Sequence, residues 1–261
     1  MPRYPHGEPA PHIRKEGKVA TSTSGTKRLI SAVVFVFLGV AVVSTVGFTL
    51  HTLSKDPNGQ LHATKEADTI VIDGKTYPKA SITMGVYADL EQAKEDGFTG
   101  NKQDLVQYGP SHHLILPAHS YITMTIHGYD GGEQLNTPYF GKVVGTVGGT
   151  VNVDGKDITQ LGLTEVQHTF TIHGIPSTSQ DPLFVNVPIL KVEENDEGWV
   201  PTKDPITHFK GHTTTFSFIT GGAGEYVWNC QFPCGDGTYS KFGAAMSKYG
   251  YMSGKVSVVN G

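Results

Sequence analysis

GEYVWNCQFPCGDGTYSKFGAAMSKYGYMSGKVSVV, residues 224–259, decides the fold. Its opening reads as a strand in which Tyr226, Trp228 and Cys230 share parity. After a Gly-rich loop carrying Cys234, a second strand restarts in which Met252, Gly254, Val256 and Val258 share parity. The thiol of Cys230 therefore points where the aromatic core residues point. Cys and Met at the two ends of one loop, joined by a distant His from a neighbouring strand, form a soft donor set suited to copper.

Outward from this segment, period-2 patterning dominates and helical periodicity is nearly absent. Thr69–Ile72 followed by Asp73-Gly74 reads as a strand and a hairpin turn. Leu114–Leu116, a turn at Pro117-Ala118-His119, and Tyr121–His127 follow, with Ile122, Met124 and Ile126 on one face. Val166–His173 places Val166, His168, Phe170 and Ile172 together, and Thr213–Ile219 is another strand. Asp89–Asp96 is the one short helical stretch, residues 128–165 are a Gly-rich excursion holding a hairpin or a flap, and residues 176–210 are irregular. Short strands separated by turns predict an all-β sandwich or small barrel. With 32 Gly, 15 Pro, 10% aromatic and only 17% charged residues, the chain is no polyampholyte, coiled coil or collagen.

The N-terminal part is different. Residues 1–28 carry six Lys/Arg against two Glu, a local +4, in a Pro-, Ser- and Thr-rich tail that reads as disordered. Leu29–Leu50 then offers 22 uncharged, apolar residues, enough to span a bilayer as a helix, and no A-x-A pattern follows it. Basic residues before this span and none just after it predict a cytoplasmic N-terminus and an extracellular or periplasmic main domain. A polar stalk is expected over 51–67 and the outer domain over 68–261, with insertions at about 128–165 and 235–251. Residues 29–261 contain no Arg and hold 14 Lys against 22 Asp/Glu, a net −8, which argues against nucleic-acid binding.

The segment resembles the cupredoxins, and among them the outer, copper A type domain of cytochrome c oxidase subunit II. The resemblance spans about residues 105–261 and rests on Leu116-Pro117-Ala118, on His168 in HTFTIHG, on Gly224-Glu225-Tyr226 leading to Cys230, and on Met252-Ser253-Gly254-Lys255-Val256. It implies a Greek-key β-sandwich and one or two copper ions. The ligands it implies are His168, Cys230, Cys234, the backbone carbonyl of Phe232 and the weak thioether of Met252. It also implies a role in electron entry beside haem–copper oxidase subunits, with a basic cytochrome c as partner for the acidic domain. One position departs from the family: Thr238 stands where a His is placed four residues after the second Cys, and the loop to Met252 is longer. His112, His113, His119, His127, His173, His208 and His212 are the remote candidates to replace it. Adjacent His112 and His113 point to opposite faces of a strand, and Met246 reads as packing.

The competing reading is a metal-free structural or assembly subunit in which Cys230 and Cys234 are bridged, as two cysteines outside the membrane commonly are. No H-E-x-x-H, G-x-S-x-G or phosphate-binding loop appears, so the sequence points to no autonomous enzyme active site.

Overall fold

The computed structural model describes residues 23–53, 59–88, 93–94, 97–98, 105–132, 137–174, 179–193, 199–201, 207–209, 211–235 and 243–260. The chain divides into two units, Met1–Ser54 and Lys55–Gly261.

The first unit is helix α1, Thr23–Leu53. Its stretch Ile30–Leu50, 21 residues of mean hydropathy 2.5, is long and apolar enough to cross a membrane. At 1.5 Å per residue it spans about 31 Å, the thickness of a bilayer's hydrocarbon core. Nothing within the unit covers its side chains, and Thr45 returns its hydroxyl to the Ala41 carbonyl, so that polar group is satisfied inside the helix.

The second unit is all-β. In chain order its strands are β1 Gln60–His62, β2 Thr64–Ile72, β3 Lys75–Tyr87, β4 Gln107–Gly109, β5 His113–Pro117, β6 Tyr121–Gly128, β7 Val151–Val153 and β8 Lys156–Ile158. They continue as β9 Val166–Gly174, β10 Phe184–Leu190, β11 Trp199–Pro201, β12 Thr207–Phe209, β13 His212–Ile219, β14 Gly224–Asn229 and β15 Ser253–Val259. One sheet runs β1-β5-β15-β14-β9-β10 and the other β2-β3-β6-β13-β7-β8, with β4 on β3. Strands β11 and β12 form a separate two-stranded ribbon. The chain crosses from β5 to β6, back to β9, over to β13 and back to β14, and this crossing makes a cupredoxin-like Greek-key sandwich. Pairing is antiparallel except for β1 with β5, β5 with β15 and β3 with β6.

Alternation explains the layers. Along β6 the exposure pattern is strictly half-buried then buried, and Ile122, Met124 and Ile126 meet Phe216 and Phe218 of β13 on the inner face. From the opposite sheet come Leu114, Leu116, Phe170, Ile172, Trp228, Val256 and Val258. Trp228 anchors this core: its ring stacks on Phe170 at 5.2 Å, meets Tyr108 edge-on at 5.1 Å, and its Nε1 donates to the His112 carbonyl at 3.2 Å.

Two sequence expectations are corrected. The described residues of the stalk expected over 51–67 are structured: His51–Leu53 continue α1, while β1 and the start of β2 belong to the sheets. These strands sit at sheet edges and keep most side chains in solvent, so their polar composition mimics a linker. The irregular region 176–210 contains β10, whose near-continuous burial has no alternation to read and whose Pro188 argues against a strand. The excursion 128–165 holds the expected hairpin, β7–β8, and it also packs on β10, where the Asn186 amide donates to the Lys142 and Phe140 carbonyls. Of the expected helix Asp89–Asp96, only Ala93 and Lys94 lie among the described residues, and both are helical.

Gly254 shows how tightly β15 is seated. A Cβ there would collide with the His112 carbonyl and the Trp228 indole nitrogen. Gly254→Val is expected to destabilise the outer unit by about 1–3 kcal/mol, the range for overpacking a core. A lowered midpoint in chemical unfolding checks it, and an unchanged midpoint contradicts the close packing of β15 on β5.

Candidate metal centre

The register of three strands builds the site. Asn229, the last residue of β14, pairs with Ser253 on β15 and Thr171 on β9. One residue further, Cys230 keeps the inward parity of Tyr226 and Trp228, and its N–H donates to the Met252 carbonyl at 2.9 Å. His168 lies on the inner face of β9, in line with Phe170 and Ile172. Cys234 follows on the loop, where its N–H donates to the Phe232 carbonyl at 2.9 Å.

His168, Cys230 and Cys234 converge, with their donor atoms all within 4.8 Å of one another and every side chain buried. The two sulfurs are 3.4 Å apart and unbonded. His168 Nδ1 is 3.1 Å from Cys234 Sγ and 3.8 Å from Cys230 Sγ. The Thr169 N–H also donates to Cys230 Sγ, at 3.3 Å. Met252 and Phe232 are buried beside this group, meeting it through the backbone hydrogen bonds given above.

Asp130 completes the arrangement, and no pattern in the sequence singles it out. Its Oδ2 is 2.7 Å from His168 Nε2, which turns Nδ1 toward the sulfurs. The carboxylate also accepts the N–H groups of Gly131 and Gly132, and the Asp130 N–H donates to Gln167 Oε1 at 3.2 Å. Gly132 has φ +64°, and a Cβ there would run into the Gln167 backbone, so the DGG run fits closely against β9. The only available signal was the acid beside paired glycines, which reads equally well as an ordinary turn.

The electrostatics follow from this packing. Burial disfavours the His168 imidazolium, yet the hydrogen bond to Asp130 and the contact with Cys230 push its pKa up to about 9. Burial also works against the Asp130 carboxylate, but His168 and the two glycine amides hold its pKa below the usual value. Against burial, hydrogen bonds from Cys234 and His168 hold the Cys230 thiol well below its ordinary range, while the Cys230 thiolate and burial push Cys234 upward. These contacts favour the thiolate at Cys230, the thiol at Cys234 and the charged form of His168.

The remaining candidates are elsewhere. Among the described residues no other histidine joins this cluster. His112 stacks on Trp228 while His113 faces outward to Ser257 at 2.8 Å, so the two do point apart. His127 meets Thr213, His173 meets Asn229, His212 meets Asp154, and His119 occupies a turn at φ +49°. Met246 packs against the core. Thr238 and the His208 side chain lie outside the described residues.

No family model matches the chain, and no curated protein does. Among solved structures it is similar to auracyanin B, at 11% identity and TM-score 0.30 over 75% of this chain and 98% of that one. It is also similar to reduced rusticyanin, at 15% identity and TM-score 0.29 over 82% and 96%. Rusticyanin from Thiobacillus ferrooxidans gives 14% identity and TM-score 0.28 over 69% and 77%. Likenesses this weak do not bear on the site, which rests on its own geometry.

If Asp130 orients His168, Asp130→Ala should weaken binding of a thiophilic metal such as Co(II) by about 10–100-fold. Asp130→Asn, whose amide oxygen still accepts from Nε2, should weaken it less. Competitive metal titration against a chelator checks this, and equal affinity in the Ala variant contradicts the role.

Proposed function

We propose that the protein is a membrane-anchored, copper-binding electron-transfer protein similar to the electron-entry subunit II of a haem–copper oxidase. The observation that carries this reading is the buried convergence of Cys230, Cys234 and His168. Two thiolates and an imidazole nitrogen are the donor chemistry that soft copper takes. Bound copper would supply the one-electron redox change, and the protein's own residues do the rest. His168, oriented by Asp130, and the two cysteines hold the ion, with the Met252 thioether and the Phe232 carbonyl as the weak donors implied by the family resemblance. To bind, His168 gives up its Nδ1 proton and Cys234 its thiol proton, so uptake releases protons. The Thr169 N–H on Cys230 and the apolar shell of Phe170, Trp228 and Phe232 supply the hydrogen bonding and low dielectric that tune such a centre.

Helix α1 serves as a single-pass anchor with its N-terminus in the cytoplasm and the β domain outside. The net −8 of residues 29–261 suits a basic cytochrome c as electron donor, with oxidase subunits as the acceptor complex. The unbonded sulfurs favour metal binding over the bridged, structural alternative.

Full-length protein in detergent, reduced and loaded with copper, should show intense visible sulfur-to-copper charge-transfer absorption at stoichiometric copper. Cys230→Ser and His168→Ala should each abolish the band or greatly weaken it, whereas Met252→Leu should shift colour and potential more than occupancy. Absence of both copper and band overturns the proposal. For the partner, association with a basic cytochrome c should weaken as salt rises, because exposed charges are screened beyond about 10 Å at 0.1 M. Salt-independent binding, measured by titration calorimetry, rejects electrostatic steering.

A further inference from the structure

On the face of β9 opposite His168 lie Thr169 and Thr171, polar residues that are 0% and 1% exposed. Asn186 on β10, the partner of Thr171, is buried as deeply. Asn186 gives both its backbone groups to Val144, at 2.9 Å each and away from β9, so it and Thr171 form the close kind of antiparallel pair. Its Nδ2 donates to the Lys142 and Phe140 carbonyls, and its Oδ1 accepts from the Thr171 hydroxyl at 2.7 Å. The Thr171 and Thr169 hydroxyls are 3.3 Å apart, and Thr169 Oγ1 accepts the Gln231 N–H at 2.8 Å. Thr169 therefore meets the Cys230 turn twice: its own N–H donates to the sulfur, and its hydroxyl takes the amide of the next residue. Valine or leucine would fill these positions without the cost of burying polar groups, so what the chain contributes is the arrangement it specifies.

We propose that Asn186 is a positioning residue for the thiol site: acting through Thr171 and Thr169, it fixes the Gln231 amide and with it the direction in which Cys230 leaves β14. The proposal concerns the site of the copper reading and rests on that reading only for the ion that the thiol holds. Cys230 stands one residue past the end of β14, where the ladder to β9 has already stopped at Asn229. Its N–H is taken by Met252 on the β15 side, and its carbonyl accepts from the Asn229 amide, its own neighbour in the chain. On the β9 side the Thr169 hydroxyl takes the place of the ladder. Asn186 gives that hydroxyl a fixed end, because two backbone and two side-chain hydrogen bonds pin Asn186 to residues 140–144. Without that anchor the Thr169 hydroxyl is free to turn away from Gln231, and the sulfur loses its seat under the Thr169 N–H.

The test uses the full chain in detergent, first metal-free and reduced, with iodoacetamide as the probe and mass-spectrometric mapping of Cys230 as the readout. Thr171→Val keeps the Asn186 bonds to residues 140–144 but removes the link, and should be alkylated at Cys230 several-fold faster than the native protein. Asn186→Leu should behave alike, whereas Thr171→Ser, which keeps the hydroxyl, should retain the native rate. Ile122→Val, a truncation in the core of the opposite sheet, controls for general loss of stability and should leave the rate near native. With copper bound, Thr171→Val should have a lower redox potential, because a sulfur relieved of a hydrogen bond donates more charge to the ion and favours its oxidised form. Thr171→Ser should again match the native protein. A native alkylation rate in Thr171→Val or in Asn186→Leu overturns the proposal, as does equal acceleration in Ile122→Val. Acceleration in Thr171→Ser as large as in Thr171→Val overturns the hydroxyl link. An unmoved potential in copper-loaded Thr171→Val overturns the hold on the sulfur. Failure to bind copper overturns the function proposed above, and the alkylation rates then decide this proposal alone.

Discussion

The placement of β14 between β9 and β15 is the constraint on which the site depends. Trp228 and Cys230 share the inner face, so one register fixes both the largest aromatic residue of the core and the first thiol. A slip of one residue would turn both outward and place Val227 and Asn229 in the core. Such a slip would break the Trp228 contacts with Phe170 and Tyr108 and the bond from its Nε1 to His112. Packing of an aromatic residue two positions away therefore decides where the sulfur points. His168 benefits from the same logic on β9, where Phe170 and Ile172 hold the parity.

A buried group of ionisable side chains is poor material for stability. Desolvation offsets much of the attraction among charges, and apolar residues of similar volume commonly serve a core as well or better. What the network does provide is completeness. His168 is held on both ring nitrogens, Cys230 receives an amide N–H, and the Asp130 carboxylate accepts two glycine amides besides the imidazole. Fully connected polar networks specify one arrangement, whereas loss of one member leaves the others unpaired. Three donor atoms gathered from β9, the end of β14 and the loop after it point to a ligand-holding role, because folding alone would be served without them.

Much of this was legible in the sequence wherever one face of a strand is buried and the other wet. That condition holds for β6, β13, β14 and β15, and the parity of β14 also points Cys230 inward. His168 lies on β9, which is buried on both faces, and only its shared parity with Phe170 and Ile172 marks its direction. The condition fails for β10, buried along most of FVNVPIL, and for β1 and the start of β2, which keep most of their side chains in solvent. Strand β3 was also missed beyond the hairpin turn at Asp73-Gly74: its first residues are mostly exposed, although Ala80, Ile82, Met84 and Val86 further on do alternate onto a buried face. Asp130 was invisible for another reason. It meets His168 across 38 residues of chain, and pairing over that separation is set by the docking of the excursion on β9, which leaves no local trace. Tyr108 is similar: its hydroxyl donates to the Thr169 carbonyl at 3.1 Å beside the cysteines, yet nothing in its short strand marks it.

The long loop between Cys234 and Met252 raises the question of how its cysteine can be a rigid donor. Loop length alone adds closure entropy only slowly, so a long insertion is tolerable, but a thiol on a mobile loop would make a poor electron-transfer ligand. The chain resolves this by folding the far part of the insertion back onto the near part. The N–H groups of Gly243, Ala244 and Ala245 donate to the carbonyls of Pro233, Gly235 and Cys234, and Ala245 is fully buried against the core. Gly235 permits the contact: it has φ +83°, and a Cβ there would crowd Ala245. Three backbone hydrogen bonds therefore clamp the three residues around the second thiol, whatever the number of residues in between. Rigidity at Cys234 is set by this clamp rather than by a short loop, so the extra length does not disqualify the cysteine as a fixed ligand.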